Sequence, residues 1–147
     1  MMRLSTKGRY GARLMLDLAI HYNDGFVLLK DIAKRQDISE GYLEHLLPHL
    51  KSAGLVNSLR GARGGYKLAK APSEISLKEV VQALEGPLAP VECVIAPSVC
   101  KKVNFCVTRD IWKELGEKIS KTLESITLKD MVEMQKNKED ASLIYSI

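Results

Sequence analysis

ISEGYLEHLLPHLKSAGLVNSLRGARGGYKLAK, residues 38–70, is the stretch that decides the fold. Ser39 is a natural N-cap, because its hydroxyl can accept from an unpaired N–H of the first helical turn. Behind it, Tyr42, Leu43, Leu46, Leu47 and Leu50 recur at the spacing that gathers apolar side chains on one helical face. Gly54 is the stop signal. Pro48 lies inside the helix and should bend it near Leu47, since it removes one backbone donor. That would leave Glu40 to His45 as the projecting part. Leu55 to Leu59 then alternate as a strand does, Arg60-Gly61-Ala62-Arg63-Gly64-Gly65 makes a glycine-rich tip, and Tyr66-Lys67-Leu68 returns. A serine-capped helix followed at once by an arginine-tipped hairpin is the layout of a winged helix.

Upstream, Ser5 or Thr6 can cap a helix reaching about Tyr22, with Leu14, Met15, Leu18 and Ala19 on one face. Asn23-Asp24-Gly25 ends it, and Phe26 to Leu29 reads as one small strand. A short helix from Leu29 to Gln36, burying Ile32 and Ala33, completes the helix-turn-helix outline. Downstream, Ser76-Leu77-Lys78-Glu79 matches a capping box and opens a helix through Leu84, which Gly86, Pro87 and Pro90 terminate. A long helix starts at Thr108, with Asp110 in its first turn, where the helix dipole favours an anion. A shorter helix from Thr127 or Leu128 to Met134 follows, and Lys136 to Ile147 reads as a loosely held end. The predicted fold is mostly α: a winged helix-turn-helix domain with a small β-hairpin wing over residues 1–85, then a cysteine loop over 86–107. Residues 108–135 form a long C-terminal dimerisation helix with a short helix after it, and 136–147 a flexible tail.

Composition agrees with a soluble globular protein: 147 residues, 46% hydrophobic and 27% charged. No apolar run approaches the roughly 18 residues of a membrane span. The N-terminus is polar and basic, with Asp17 interrupting the next apolar stretch, so no signal peptide is apparent and the expected location is cytoplasmic. The net charge of +4 is unevenly spread. Residues 1–70 hold 12 Lys/Arg against 6 Asp/Glu, whereas residues 71–147 hold 10 against 12. A basic half of this kind suits a polyanion.

The recognition helix of a winged domain presents its N-terminal residues to base edges in the major groove, which nominates Ser39, Glu40, Tyr42, Glu44 and His45. Glu44 can accept from cytosine, yet it repels phosphate and so can also veto a site. Arg60 and Arg63 on a thin tip suit a narrow minor groove. Lys7, Arg9 and Tyr10 can hold phosphates together with the positive end of the first helix. The partner is then double-stranded DNA, although winged helices also mediate protein contacts. Half-sites in duplex DNA are commonly read by two-fold dimers. Ile111, Trp112, Leu115, Ile119 and Leu123 on the long helix offer a dimer surface, or else they close the monomer core.

Cys93, Cys100 and Cys106 are the only cysteines, and all lie in one Pro-rich segment. In a reducing compartment an odd, clustered set points to metal binding or redox switching over a structural disulfide. The spacing lacks the CxxC pairs of a zinc ribbon. Thiolates hold iron–sulfur clusters, and three of them leave one iron position for another donor. His21, His45 and His49 all belong to the DNA-reading half, so Asp110 is the nearest oxygen donor, with Glu92 and Ser98 behind it. A donor from a partner subunit or a small exogenous ligand is equally open, and so are thiols that switch by oxidation. An enzyme is disfavoured, because there is no cofactor-binding glycine motif and no histidine near the thiols.

MRLSTKGRYGARLMLDLA, DIAKRQDIS, YLEHLL, LKSAGLVNSLRGARGGYKLAK, the three cysteines, CVTRDIWKEL and ITLKDMVE together resemble the IscR-type winged-helix regulators. This bacterial family includes the nitric-oxide sensor NsrR and the cysteine-metabolism regulator CymR. The resemblance implies a homodimer that binds a partly palindromic operator and crosses two long helices at its interface. It also implies an iron–sulfur cluster on Cys93, Cys100 and Cys106 whose loss or modification changes DNA affinity. Glu44 matches the family position where a glutamate disfavours one class of site, and Arg60 matches the wing arginine of the minor groove. Where the cluster-repair regulator has a histidine three residues after the last cysteine, this chain has Arg109, so a histidine ligand there is excluded. The cluster type, two-iron or four-iron, stays open. The expected function is a regulator reporting iron–sulfur, redox or nitric-oxide status. The alternative is a thiol-redox or protein-partner-controlled regulator of cysteine or sulfur metabolism without a cluster.

Overall fold

A computed structural model describes residues 3–61, 64–99 and 101–146. Helix α1 (Thr6–Ile20) starts at Ser5, whose hydroxyl accepts the Gly8 N–H. It ends two residues before the expected Tyr22, because Tyr22–Asp24 tighten into a 3-10 turn. Helix α2 (Leu29–Gln36) ends at Asp37, which adopts the left-handed conformation at φ 53°, a region that short polar side chains tolerate. Helix α3 (Glu40–Ser52) begins at Ser39, which accepts the Tyr42 N–H at 3.1 Å, and it continues through Pro48 as one helix.

The wing is the antiparallel pair β1 (Val56–Leu59) and β2 (Gly65–Leu68), in register from Val56 opposite Leu68 to Leu59 opposite Gly65. The strand expected at Phe26 to Leu29 shrinks to one bridge, in which Val27 and Tyr66 exchange backbone hydrogen bonds of 2.8 Å. Only one residue pairs because Leu28 is already the N-cap of α2. Gly65 makes the bridge possible: at φ 152° it lies so close to the Val27 carbonyl that any side chain would collide.

Helix α4 (Leu77–Glu85) carries the expected reciprocal capping box between Ser76 and Glu79. It packs tightly on α1, because Gly8 and Gly11 bring the α1 backbone against Glu85 and Leu84. The cysteine segment is less irregular than a loop: α5 (Glu92–Ile95) is followed by 3-10 turns at Pro97–Val99 and Val103–Phe105. Helix α6 (Val107–Glu124) then runs 18 residues, a rod of about 27 Å at 1.5 Å per residue.

Helix α7 (Leu128–Ser146) differs from expectation in two ways. It is 19 residues long and does not stop at Met134. Residues 135–146 contain no glycine or proline, and a Gln135 to Glu139 hydrogen bond of 3.1 Å spans one turn, so good helix formers carry it on without an apolar stripe. Its start also belongs to the winged domain. Leu128 is fully buried in the common core, Met131 and Val132 pack on it, and Leu128 donates to the Ile75 carbonyl at 3.0 Å. Thr127 and Asp130 cap the turn reciprocally at 2.9 and 3.1 Å.

That core joins Leu14 and Leu18 of α1, Ile32 of α2, Leu43 and Leu46 of α3 and Val80 of α4. Each such side chain contributes on the order of 1.5–3 kcal/mol by leaving water. Among the described residues one charged group lies inside it. The Asp17 carboxylate accepts from Arg35 Nε at 3.0 Å, Arg35 Nη2 at 2.8 Å and Gln36 Nε2 at 3.0 Å. This fork ties α1 to α2, the first helix of the helix-turn-helix. The carboxylate also holds the Arg35 guanidinium above its ordinary pKa, first through the hydrogen bond.

Candidate nucleic-acid interface and cysteine segment

The apolar residues of α3 are fully used in the core, so its opposite face is left to solvent. Glu40, Glu44 and His45 are exposed along it, as the sequence placed them. The Ser39 hydroxyl is committed to the cap. Tyr42 is half-buried and meets Tyr10 edge-on at 5.7 Å, which braces α1 against α3. Tyr10 is thus a packing residue in the first instance, with Arg9 and Arg13 stacked over its ring at 5.8 and 5.4 Å. His45 lies 6.1 Å from His49, ring to ring, one turn along the same face. Arg13 was not singled out by sequence reasoning. It is exposed beside Tyr10 and also reaches the α2 terminus through Gln36, a placement that only the packing of α1 on α2 reveals.

Arg60 is exposed at the wing tip, next to Gly61. Arg63 lies outside the described residues. Lys7 sits in the first turn of α1 beside Tyr42, in a cleft lined by Ser5, Lys7, Tyr42 and Glu85, and Arg9 is exposed one turn along, over Tyr10. Part of the positive end of α1 is already occupied. The Glu85 carboxylate accepts from the Ser5 N–H at 3.1 Å, from the Gly8 N–H at 3.2 Å and from the Ser5 hydroxyl. A phosphate held by Lys7 and Arg9 would share this helix end with the Glu85 carboxylate, which already occupies the Ser5 and Gly8 N–H groups.

In the cysteine segment, Cys106 is the N-cap of α6 and half-buried. Its sulfur lies 3.2 Å from the Thr108 hydroxyl. That hydrogen bond, followed by the Arg109 N–H, holds the thiol below its ordinary pKa, with the Asp110 carboxylate opposing. Asp110 is thus near the sulfur, one turn along. Cys93 belongs to α5, which packs against α6. Cys100 lies outside the described residues. Among the described residues alone no three metal-type donors converge. The donor chemistry itself fits a cluster, since Cys106 is a reachable thiol biased to the thiolate that iron–sulfur clusters take.

The five α6 residues expected at a dimer surface are not closed over by their own chain. Ile111, Trp112 and Ile119 are 52%, 40% and 38% exposed, and Leu115 and Leu123 are half-buried. Phe105 and Val107 extend the same apolar region at 90% and 71% exposure. Apolar residues left uncovered in this number are uncommon on the surface of a monomer. No helix among the described residues is long and apolar enough to cross a membrane.

A helix-turn-helix with its reading face free, a two-stranded wing tipped by arginine and a basic first half together define a winged-helix DNA-binding transcription regulator. Residues 4–134 match the model of the Rrf2 family, iron-dependent transcriptional regulators, and the chain belongs to that family. The protein Rrf2 of Nitratidesulfovibrio vulgaris is 43% identical over 97% of this chain and 91% of its own. The solved structure of CymR, the global cysteine regulator of B. subtilis, superposes with a TM-score of 0.76 at 38% identity, covering 91% of this chain and 98% of that one. IscR of T. potens superposes with a TM-score of 0.74 at 43% identity, covering 95% and 90%.

Proposed function

We propose that this chain is a homodimeric regulator whose Cys93, Cys100 and Cys106 hold an iron–sulfur cluster, and that the state of this cluster modulates operator binding. The observation that carries the reading is the position of Cys106. Cys106, whose thiol is biased to the thiolate, stands at the N-cap position of the same helix that bears the uncovered apolar stripe. The cysteine segment therefore stands between the DNA-reading domain and the surface that sets the spacing of two such domains. The family's iron dependence and the likeness to IscR support the cluster. When bound, the cluster would supply a redox- and iron-responsive tie between α5 and α6, with Asp110 as candidate fourth donor. The chain's own part is to hold the thiols at the α6 N-terminus and to transmit their spacing along a rigid helix. Coupling of about 1–3 kcal/mol between such a site and DNA corresponds to roughly 5- to 150-fold in affinity.

A second reading, a thiol switch without metal, draws support from the lowered pKa of Cys106 and from the likeness to the B. subtilis cysteine regulator. Anaerobic purification separates the two. Protein with iron, sulfide and visible absorbance that each Cys→Ala variant loses supports the cluster. Colourless protein with reversible disulfides supports the switch.

A further inference from the structure

We propose that Glu85 is a positioning residue that couples the cysteine segment to the first turn of α1 beside the recognition helix. This rests on the reading above that the cysteine segment is the sensing element. Glu85 is the last residue of α4, and the chain turns at Gly86 (φ 83°) directly into the segment that carries the three cysteines. Its carboxylate is seated on α1, where one oxygen takes the Ser5 N–H, the Ser5 hydroxyl and the Gly8 N–H. The seat is fitted, because a side chain at Gly8 would sit against that oxygen.

The other end of the connection is equally constrained. Cys106 stands at the N-cap position of α6. Ten residues on, about 15 Å along a rigid helix, Gly116 is buried with its backbone against Leu88 and Pro90. Leu4, Glu85, Leu88, Pro90 and Ile119 line a common cavity of about 470 Å³. A shift of α6 relative to the winged domain thus meets residues 88–90, and through them Glu85. Coupling between sites needs an element with two arrangements that both sites bias. Here that element is the carboxylate, on or off the end of α1. Seated, it cancels the positive helix end next to Lys7 and Tyr42; withdrawn, the same N–H groups face the cleft beside the reading helix.

The test follows the Gly8 amide by NMR hydrogen exchange in the anaerobic full-length chain. Three forms are compared: reduced and metal-free, reconstituted with ferrous iron and sulfide, and alkylated with iodoacetamide. Duplex affinity is measured on each by fluorescence anisotropy. In the wild type, Gly8 exchange should differ roughly fivefold or more between the reduced form and at least one other, the lower end of allosteric couplings. In Glu85→Ala only the longer Ser5 hydroxyl contact remains to the Gly8 N–H. Exchange should then be faster than in the wild type and alike in all forms, and the three affinities should converge. Glu85→Gln, which keeps an acceptor oxygen, should retain part of the difference and covers the case of a misfolded alanine variant. Equal Gly8 exchange in all wild-type forms, or a Glu85→Ala variant that keeps the wild-type ratio of affinities, would overturn the proposal. A reconstituted form without visible absorbance sinks the cluster reading alone, because the alkylated form still tests the coupling.

Discussion

Removing Arg35 should harm the fold more than neutralising Asp17, although the two groups share one interaction. The carboxylate side chain is 2% exposed, whereas the guanidinium side chain is 38% exposed. Arg35→Ala strands a buried charge with only the Gln36 amide as partner. Breaking a buried pair in this way costs about 3–5 kcal/mol, and the surviving Gln36 bond places the estimate near the lower figure. Asp17→Asn leaves a guanidinium that can turn to water, so its cost is that of weakened hydrogen bonds, about 1–2 kcal/mol. The double variant should cost less than the two singles together, by on the order of 1–3 kcal/mol, because the partners touch. Urea unfolding followed by circular dichroism at fixed protein concentration measures all three, with the slope unchanged if only stability moves. An Arg35→Ala variant within 1 kcal/mol of wild type, or less destabilised than Asp17→Asn, would refute the reasoning.

Arg60→Ala should weaken operator binding about tenfold, in line with the 1–3 kcal/mol of a good groove contact, and blunt preference for narrow-groove sequence; unchanged binding contradicts the wing assignment. Ile119→Lys places a charge in the uncovered stripe and should shift the chain to monomer in sedimentation equilibrium, whereas a retained dimer removes this face from the interface. In metal-free reduced protein, Cys106 alkylation should set in at lower pH than for an unperturbed thiol, because its thiolate is favoured. Thr108→Val removes the largest cause and should move that profile to higher pH; an unmoved profile rules out the hydroxyl as cause.

What the sequence revealed was local. Ser39 and Ser76 announce their helices because a cap needs only the next three residues, and the α3 stripe and the wing tip are patterns within one element. The exposure of Arg60, Glu44 and His45 was legible for the same reason. Asp17 looked like an interruption of an apolar face, and its meaning appears only when α2 brings Arg35 and Gln36 to it. Glu85 was invisible, since its partners Ser5 and Gly8 lie about eighty residues away. Gly8 and Gly11 gave no signal that α4 would approach so closely. The length of α7 is not legible because its second half has helix-forming residues but no apolar stripe to set a period.

The most direct test of the central claim is the anaerobic absorption and Mössbauer spectrum of the purified chain, paired with duplex affinity of the iron-loaded and iron-free forms. A cysteine-held cluster requires iron and sulfide in fixed proportion, a visible spectrum lost with Cys93, Cys100 or Cys106, and affinities that differ at least severalfold between the forms. Oxygen-free protein that contains no iron, with an affinity indifferent to iron supply, would contradict it.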